Sequence, residues 1–297
     1  MKKVKKLIMA TIVLGAANVT SYGAVFNSNM NGGSSVWNDT ANWEGGSLPS
    51  ISGVITAKII SGKAANGVVV FDGTAAQSSG QLEVGTNASL TINSGGSFTA
   101  GNGMRMEAGS VVINDGTYTA ALSGRVAYIN GGTWTNRGLW DGGGFNVAGT
   151  ATFINTGTLN ANAGFLYLAT NTGNAAWDMS AGEINAINIT VQASGASTFS
   201  FSGGTITAVT MESGLTSSHL TMTMSGLASL VLSGNKETQF TSMIAAGVFV
   251  TTGSDTFVNS YDSGDDVTTL SVIPEPGGFS LVAACLALTS VMVRRRS

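Results

Sequence analysis

Side chains that could carry out a catalytic reaction are scarce in this sequence and form no complete motif. Nucleophilic catalysis needs a base beside the nucleophile, and His219 is the single histidine among 297 residues. Its neighbours are Ser and Thr, which are abundant throughout, so we interpret His219 as a surface or turn residue. Zinc sites use clusters of His and Cys, and the chain has one Cys. We therefore predict no catalytic residue, no metal site and no cofactor.

Carboxylates leave one enzymatic hypothesis open. Glycoside hydrolysis needs two carboxylates a few ångströms apart, and stacked repeats could bring aspartates from different repeats together. Three arginines could line a groove for an acidic sugar. The residues concerned are Asp115, Asp141 and Asp178, with Arg105, Arg125 and Arg137. Because these aspartates stand beside glycines or polar turn residues, where Asp is an ordinary corner residue, a β-helical polysaccharide lyase or hydrolase remains the alternative function.

Two other patterns point to ligands. The acidic loop of Asp262, Asp265 and Asp266 offers the oxygen ligands that calcium prefers, but it lacks EF-hand spacing; we interpret it as a solvated loop and leave calcium open. Thr-X-Thr triplets could form regular outward ladders that resemble those of ice-binding solenoids, which is the second alternative function. These triplets are Thr117/Thr119, Thr133/Thr135 and Thr205/Thr207.

The distribution of charge excludes one class of partner. Only 10% of the residues are charged, against about 25% in ordinary globular proteins. Between Ala24 and Val272 lie 15 of the 16 acidic residues but only six of the 13 basic ones, which leaves a net charge of −9 there. Nucleic-acid binding needs a basic stripe, so we predict no nucleic-acid partner.

A short pattern recurs through the middle of the chain: a β-rich run, a turn with glycine, and a triplet whose central residue is apolar. Such repeats are typical of solenoids, because one unit buries its apolar face only when the next stacks on it. The aligned glycines are Gly96, Gly116, Gly132, Gly157, Gly182 and Gly204. The apolar residues made equivalent by this alignment are Phe98, Tyr118, Trp134, Leu159, Ile184 and Ile206.

This repeat predicts an all-β fold, a parallel β-helix of about ten coils and about 50 Å in length at about 4.8 Å per coil. A β-sandwich of short strands is the alternative. No helical periodicity is visible in the middle, so we expect no helix there. We expect the indoles of Trp37 and Trp43 to cap the first coil, and residues 230–272 to form a divergent terminal coil, because solenoid ends need capping.

The N-terminus has the pattern of a secretory signal peptide. Four lysines at Lys2, Lys3, Lys5 and Lys6 precede a short apolar run, and small residues follow. We predict cleavage between Gly23 and Ala24, so that residues 1–23 are the signal peptide and residues 24–272 the repeat domain.

The C-terminus, residues 273–297, combines three features in a fixed order. The motif Pro274, Glu275 and Pro276 is followed by an uncharged stretch, residues 277–293, and then by Arg294, Arg295 and Arg296. The stretch is long enough for a short transmembrane helix, and the arginines would anchor it in the cytoplasm by the positive-inside rule. The lone Cys lies inside this stretch, where we interpret it as a small apolar filler.

This tail resembles the PEP-CTERM sorting signal of exported bacterial proteins, and the repeats resemble autotransporter passenger domains. The resemblance implies recognition by an exosortase, a membrane-embedded cysteine transpeptidase that cleaves near the Pro-Glu-Pro motif. It also implies a membrane-anchored precursor, and then a location on the cell surface or in the extracellular matrix of a Gram-negative-type bacterium. We therefore expect a non-enzymatic, structural or adhesive protein associated with exopolysaccharide.

Overall fold

The computed structural model describes residues 25–26, 36–44, 46, 57–60, 68–73, 76–78, 81–101, 103–120, 126–170, 174–191 and 196–274. Of these residues, 58% lie in strands, and the chain winds into a β-solenoid of about seven turns. The predicted all-β solenoid is confirmed, with about seven turns instead of ten. The β-sandwich alternative is wrong, because strands of successive coils pair in parallel.

The strands are short and follow one another closely. In chain order they are β1 Val25–Phe26, β2 Ala57–Ile59, β3 Val69–Phe71, β4 Ala76–Ser78, β5 Leu82–Val84, β6 Ser89–Ile92, β7 Ser97–Ala100, β8 Met104–Met106, β9 Val111–Asn114, β10 Thr117–Ala120, β11 Val126–Ile129, β12 Thr133–Asn136, β13 Leu139–Asp141, β14 Gly144–Ala148, β15 Thr152–Asn155, β16 Thr158–Thr170, β17 Asn174–Met179, β18 Glu183–Val191, β19 Ala196–Phe201, β20 Thr205–Met211, β21 Leu220–Met224, β22 Ser229–Ser233, β23 Phe249–Thr251, β24 Thr256–Asp262 and β25 Val267–Ile273. One helix, α1, spans Glu237–Ala245.

Each coil has three faces. Face 1 contains β1, β2, β5, β8, β11 and β14, and then the second halves of β16, β18 and β20. Face 2 is a sheet of β3, β6, β9, β12, β15, β17, β19, β21 and β23. Face 3 contains β4, β7, β10, β13, the first halves of β16, β18 and β20, and then β22. The long strands β16, β18 and β20 therefore bend from face 3 into face 1.

Alternating side chains build a continuous core inside the coils, as period-2 strands require. The column of face 3 that contains Phe98 has three aromatic residues in succession, with ring centroids 5.6 Å apart for Phe98–Tyr118 and 4.5 Å for Tyr118–Trp140. It continues with aliphatic residues, namely Leu159, Ile184, Ile206 and Leu230. Trp140 therefore takes the place that we assigned to Trp134, which lies on face 2 between Val112 and Phe153. The alignment on Gly132 was wrong, because Gly132 precedes face 2 and Gly138 precedes face 3.

The turn from face 2 to face 3, which we call the asparagine corner, is held by a buried ladder of Asn114, Asn136 and Asn155. The Nδ2 of Asn114 donates to Oδ1 of Asn136, and the Nδ2 of Asn136 donates to Oδ1 of Asn155, both at 2.8 Å. The same nitrogens also donate to the carbonyls of Leu139 at 2.9 Å and Thr158 at 3.0 Å. The ladder thus also binds the carbonyl oxygens of the first residues of β13 and β16, where the chain enters face 3.

A column of glycines lies beside this ladder: Gly96, Gly116, Gly138, Gly157, Gly182 and Gly204. A Cβ on Gly138 would lie 2.0 Å from the carbonyl oxygen of Gly116, and one on Gly157 would lie 2.1 Å from that of Gly138. These carbonyls accept hydrogen bonds from the next coil, as from Leu139 N–H to Gly116 at 2.8 Å. Close stacking of backbone, with no room for a side chain, therefore requires glycine in this column.

Both ends of the solenoid are capped. Trp37 and Trp43 are buried, and the ring of Trp37 lies 4.9 Å from that of Phe98, which agrees with the expected N-terminal cap. At the other end, β25 pairs antiparallel with β22 and with β24. Helix α1 contradicts our expectation of no helix, because Phe240 and Met243 share one buried face of it. This C-terminal cap accounts for part of the difference between seven and ten coils.

Candidate functional surface

Of the proposed enzymatic residues, Asp115 and Arg137 meet at the asparagine corner, on adjacent coils. The guanidinium Nε lies 2.5 Å from Asp115 Oδ1, and Nη2 lies 2.9 Å from Oδ2. These hydrogen bonds lower the pKa of Asp115 below its usual value, against a smaller opposing effect of burial. Both side chains are solvent-accessible, so the pair is a corner ion pair and not a buried acid-base couple.

The other candidates lie on different faces. Asp141 is at the end of β13 on face 3, Asp178 lies on β17 in face 2, and Arg105 lies on β8 in face 1. Arg125 is outside the described residues. Of the five candidates that the structure describes, it therefore brings together only Asp115 and Arg137.

His219 lies in the turn before β21, with its Nδ1 2.9 Å from Thr216 Oγ1. Within the described ranges it has no carboxylate partner. In the acidic loop, Asp262 Oδ1 accepts the backbone N–H of Gly264 at 2.7 Å, and Asp266 Oδ1 accepts the Tyr261 hydroxyl at 2.8 Å. No group of three or more metal-ligating side chains is found among the residues that the structure describes.

The three Thr-X-Thr triplets do not form one ladder. Thr117/Thr119 and Thr205/Thr207 lie on face 3 with three coils between them, whereas Thr133/Thr135 lies on face 2. Face 2 carries a different array, made of two outward columns without a register shift from β6 to β21. Nine of its 14 residues carry a hydroxyl and one is charged: Ser89, Thr91, Val111, Ile113, Thr133, Thr135, Thr152, Ile154, Ala176, Asp178, Thr198, Ser200, Thr221 and Thr223.

Face 1 differs from the other two faces in its outward side chains. Its central outward column is in register over seven coils and reads Lys58, Glu83, Arg105, Tyr128, Asn146, Tyr167 and Thr190. Phe165 lies beside this column, with its ring centroid 5.4 Å from that of Tyr167. We call Tyr128, Phe165 and Tyr167 the aromatic strip.

The aromatic strip is accessible and lies where the sheet is irregular. Tyr128 is 43% exposed and Phe165 is 46% exposed. Pairing shifts register between Asn146 and Ala148 of β14, and again in β16 on both sides of Phe165 and Tyr167. Bulges of this kind redirect side chains and are enriched beside functional sites.

The charged side chains at the N-terminal end of the central outward column form ion pairs. The Nζ of Lys58 lies 2.6 Å from Oε1 of Glu83, and the Nε of Arg105 lies 2.5 Å from Oε1 of Glu107. Sequence analysis did not single out this surface. The sequence does contain one signal that could have indicated this surface. It is a tyrosine at the outward position of a strand whose other positions are apolar, as in Ala127-Tyr128-Ile129.

The sorting and cleavage residues lie mostly beyond the described part of the chain. Pro274 follows β25 directly and is exposed. Glu275, Pro276, Arg294, Arg295 and Arg296 are outside the described residues, as are Gly23 and Ala24 and the proposed membrane segment. Within the described residues, no helix is long and apolar enough to cross a membrane.

Comparisons of the chain with protein-family models, with curated proteins and with solved structures find no match. The function must therefore be argued from the chain's own residues.

Proposed function

We propose that this chain is an exported structural or adhesive protein of the bacterial cell surface or extracellular matrix, associated with exopolysaccharide. The observation that carries the proposal is the ordered C-terminal sequence: Pro274-Glu275-Pro276, an uncharged stretch and three terminal arginines. The lysine-rich N-terminus followed by an apolar run also supports export, because this is the pattern of a secretory signal peptide. Exosortase is the proposed processing partner, and the membrane holds the precursor until cleavage.

The fold is compatible with this role. Strand β25 ends at Ile273, and Pro274 is exposed, so the motif begins where the chain leaves the sheet. With its only Cys in the C-terminal segment, the repeat domain must be stabilised by its core and backbone pairing. The Asp115–Arg137 pair and the separation of Asp141 from Asp178 favour a scaffold over the alternative lyase or hydrolase.

Deletion of Pro274–Ser297 tests the proposal. We expect the full-length chain to fractionate first with membranes and then to appear outside the cell in a shortened form, whereas the truncated chain is neither retained nor processed. The matched control replaces Arg294, Arg295 and Arg296 by alanine and leaves the Pro-Glu-Pro motif intact; we expect weaker retention in it. Unchanged retention and processing after the deletion would reject the sorting role.

The regular array on face 2 favours ice binding as a second candidate function. Its outward hydroxyl and methyl groups repeat in two columns without a register shift, and a regular array of this kind is what ordering of water at the surface would require. Ice-recrystallisation inhibition should then be lost in Thr135→Lys on face 2 and retained in the control Thr119→Lys on face 3. A wild-type chain that leaves ice growth unchanged excludes this candidate.

A further inference from the structure

We propose that the aromatic strip on face 1 is a binding site for a neutral, extended polysaccharide that runs along the solenoid axis. The inference rests on the polysaccharide association proposed above and assigns it to Tyr128, Phe165 and Tyr167. Three observations support it: the exposure of the rings, their spacing and the charge balance beside them.

Exposed aromatic rings are confined to few places in this molecule. Within the described residues all tryptophans are buried, and the aromatic side chains that reach solvent are the three of the strip, with Phe257 and Tyr261 in the C-terminal hairpin. An exposed ring offers a flat apolar face that packs against the C–H face of a sugar ring, while a tyrosine hydroxyl hydrogen bonds to its polar edge. Clustering of such rings on one face marks an interaction surface.

The spacing suits a repeating ligand. Tyr128 and Tyr167 are both in register with Asn146, so they stand two coils apart, about 9.6 Å along the axis. The shorter Asn146 side chain, 7% exposed, forms a floor between the two rings. A chain molecule whose sugar units follow the axis can therefore contact both tyrosines at once, and Phe165 widens the second contact.

The charges favour a neutral ligand over a polyanion. Lys58 and Arg105, the basic side chains of this column, are each paired with a glutamate. The repeat domain as a whole has a net charge of −9, which repels polyanions at long range. Among the described residues of the central outward column of face 1, each basic side chain therefore has an acidic partner. A basic side chain without such a partner, the usual means of binding an acidic sugar, is not found there.

The competing occupant is a protein, because aliphatic side chains continue the exposed surface. Ile187 is 45% exposed and Val209 is 50% exposed, both at the turn from face 3 to face 1. Aromatic rings separated by a polar floor favour the polysaccharide, and a second copy of this chain becomes one outcome of the test.

Affinity electrophoresis of the full-length chain tests the inference. Native gels would contain one of four neutral polysaccharides (hydroxyethylcellulose, laminarin, galactomannan or dextran) or the polyanion alginate. We expect retardation by at least one neutral polysaccharide, and an apparent affinity at least about tenfold weaker in the double variant Tyr128→Ala/Tyr167→Ala. The matched control Tyr261→Ala, in the C-terminal hairpin, should bind like the wild type. Thermal unfolding of all three chains verifies that they fold alike.

The outcomes separate the inference from the proposed function. If the wild type binds none of the five polysaccharides, the polysaccharide association itself is wrong. If the wild type and the double variant bind equally, only the assignment to the aromatic strip is wrong. Binding to alginate alone overturns the neutral class, and a wild-type dimer that the double variant converts to a monomer overturns the strip as a glycan site.

Discussion

The two turns on either side of face 3 differ in almost every respect. At the asparagine corner, the turns after Asn114, Asn136 and Asn155 each have two residues, the second of them glycine. The opposite turn, from face 3 to face 1, we call the variable corner. There the chain makes a separate loop in some coils but bends within a continuous strand in β16, β18 and β20.

This difference shows which contacts require a turn of the same length and the same glycine position in successive coils. Buried amides and backbone atoms stacked without room for a Cβ must repeat identically from coil to coil, because an error leaves a buried polar group unpaired or forces the coils apart. In the described residues of the variable corner one such close stack occurs, where a Cβ on Gly164 would lie 2.1 Å from the carbonyl oxygen of Gly143. It is not repeated in the next two coils, where Ile187 and Val209 stand at the bend and face solvent. Sequence variation and recognition can therefore accumulate on face 1 and at this corner.

The largest effect is expected from Gly138→Ala at the asparagine corner. Its Cβ would lie 2.0 Å from one backbone oxygen and 2.8 Å from a backbone carbon, and neither can move without separating the coils. We expect a loss of about 3 kcal/mol or more in the free energy of unfolding, measured by denaturant titration. The matched control is Gly214→Ala, where the added Cβ meets nothing within 4 Å. Equal stability of the two variants would contradict the glycine column.

Asn136→Leu should have the second-largest effect. It removes the central amide of the ladder and leaves Oδ1 of Asn155 without the Asn136 donor in a buried site. We expect a loss of about 2 kcal/mol. The control Asn185→Leu removes the hydrogen bond to Asn160, which is partly exposed, and it should cost less than about 0.5 kcal/mol. A smaller loss for Asn136 than for Asn185 would refute a stabilising role of the ladder.

Asp115→Asn should have a small effect that depends on pH. Because the Arg137 guanidinium lowers the pKa of Asp115 in the folded state, the carboxylate stabilises the fold above its unfolded pKa of about 3.9. That contribution is lost as the pH falls through the lower folded value. The stability difference between wild type and variant should therefore be present at pH 7, decrease as the pH falls below the unfolded pKa, and shrink in high salt. A difference that grows towards acid pH would contradict this account.

Val209→Ser at the variable corner should have the smallest effect. The side chain is half exposed, so we expect a change within about 0.5 kcal/mol in the free energy of unfolding. The same measurement as for Gly138→Ala makes the comparison between the two corners direct. A loss as large as at the asparagine corner would show that the variable corner is also tightly constrained.

Much of the fold could be predicted from the sequence, because period-2 strands and recurrent glycines are local signals. The register could not. Trp134 and Trp140 both follow strand-like residues and a glycine, and only stacking on Tyr118 selects Trp140. The motif Asn-X-Gly at 114–116, 136–138 and 155–157 carries the correct alignment, but its meaning depends on neighbouring coils.

The missed features have equally physical reasons. Helix α1 is only nine residues long, and its apolar positions are few, so Thr- and Ser-rich sequence masks its period. The aromatic strip depends on which strand positions face outward and on bulges in β14 and β16. Neither can be inferred before register is known.

The most direct test of the account is the identity of the mature chain outside the cell. Mass spectrometry of the protein recovered from the cell surface should find an N-terminus at Ala24 and a C-terminus near Pro274–Pro276. Recovery of the whole polypeptide from the cytosol, with residues 1–23 still attached, would contradict export and with it the proposed function.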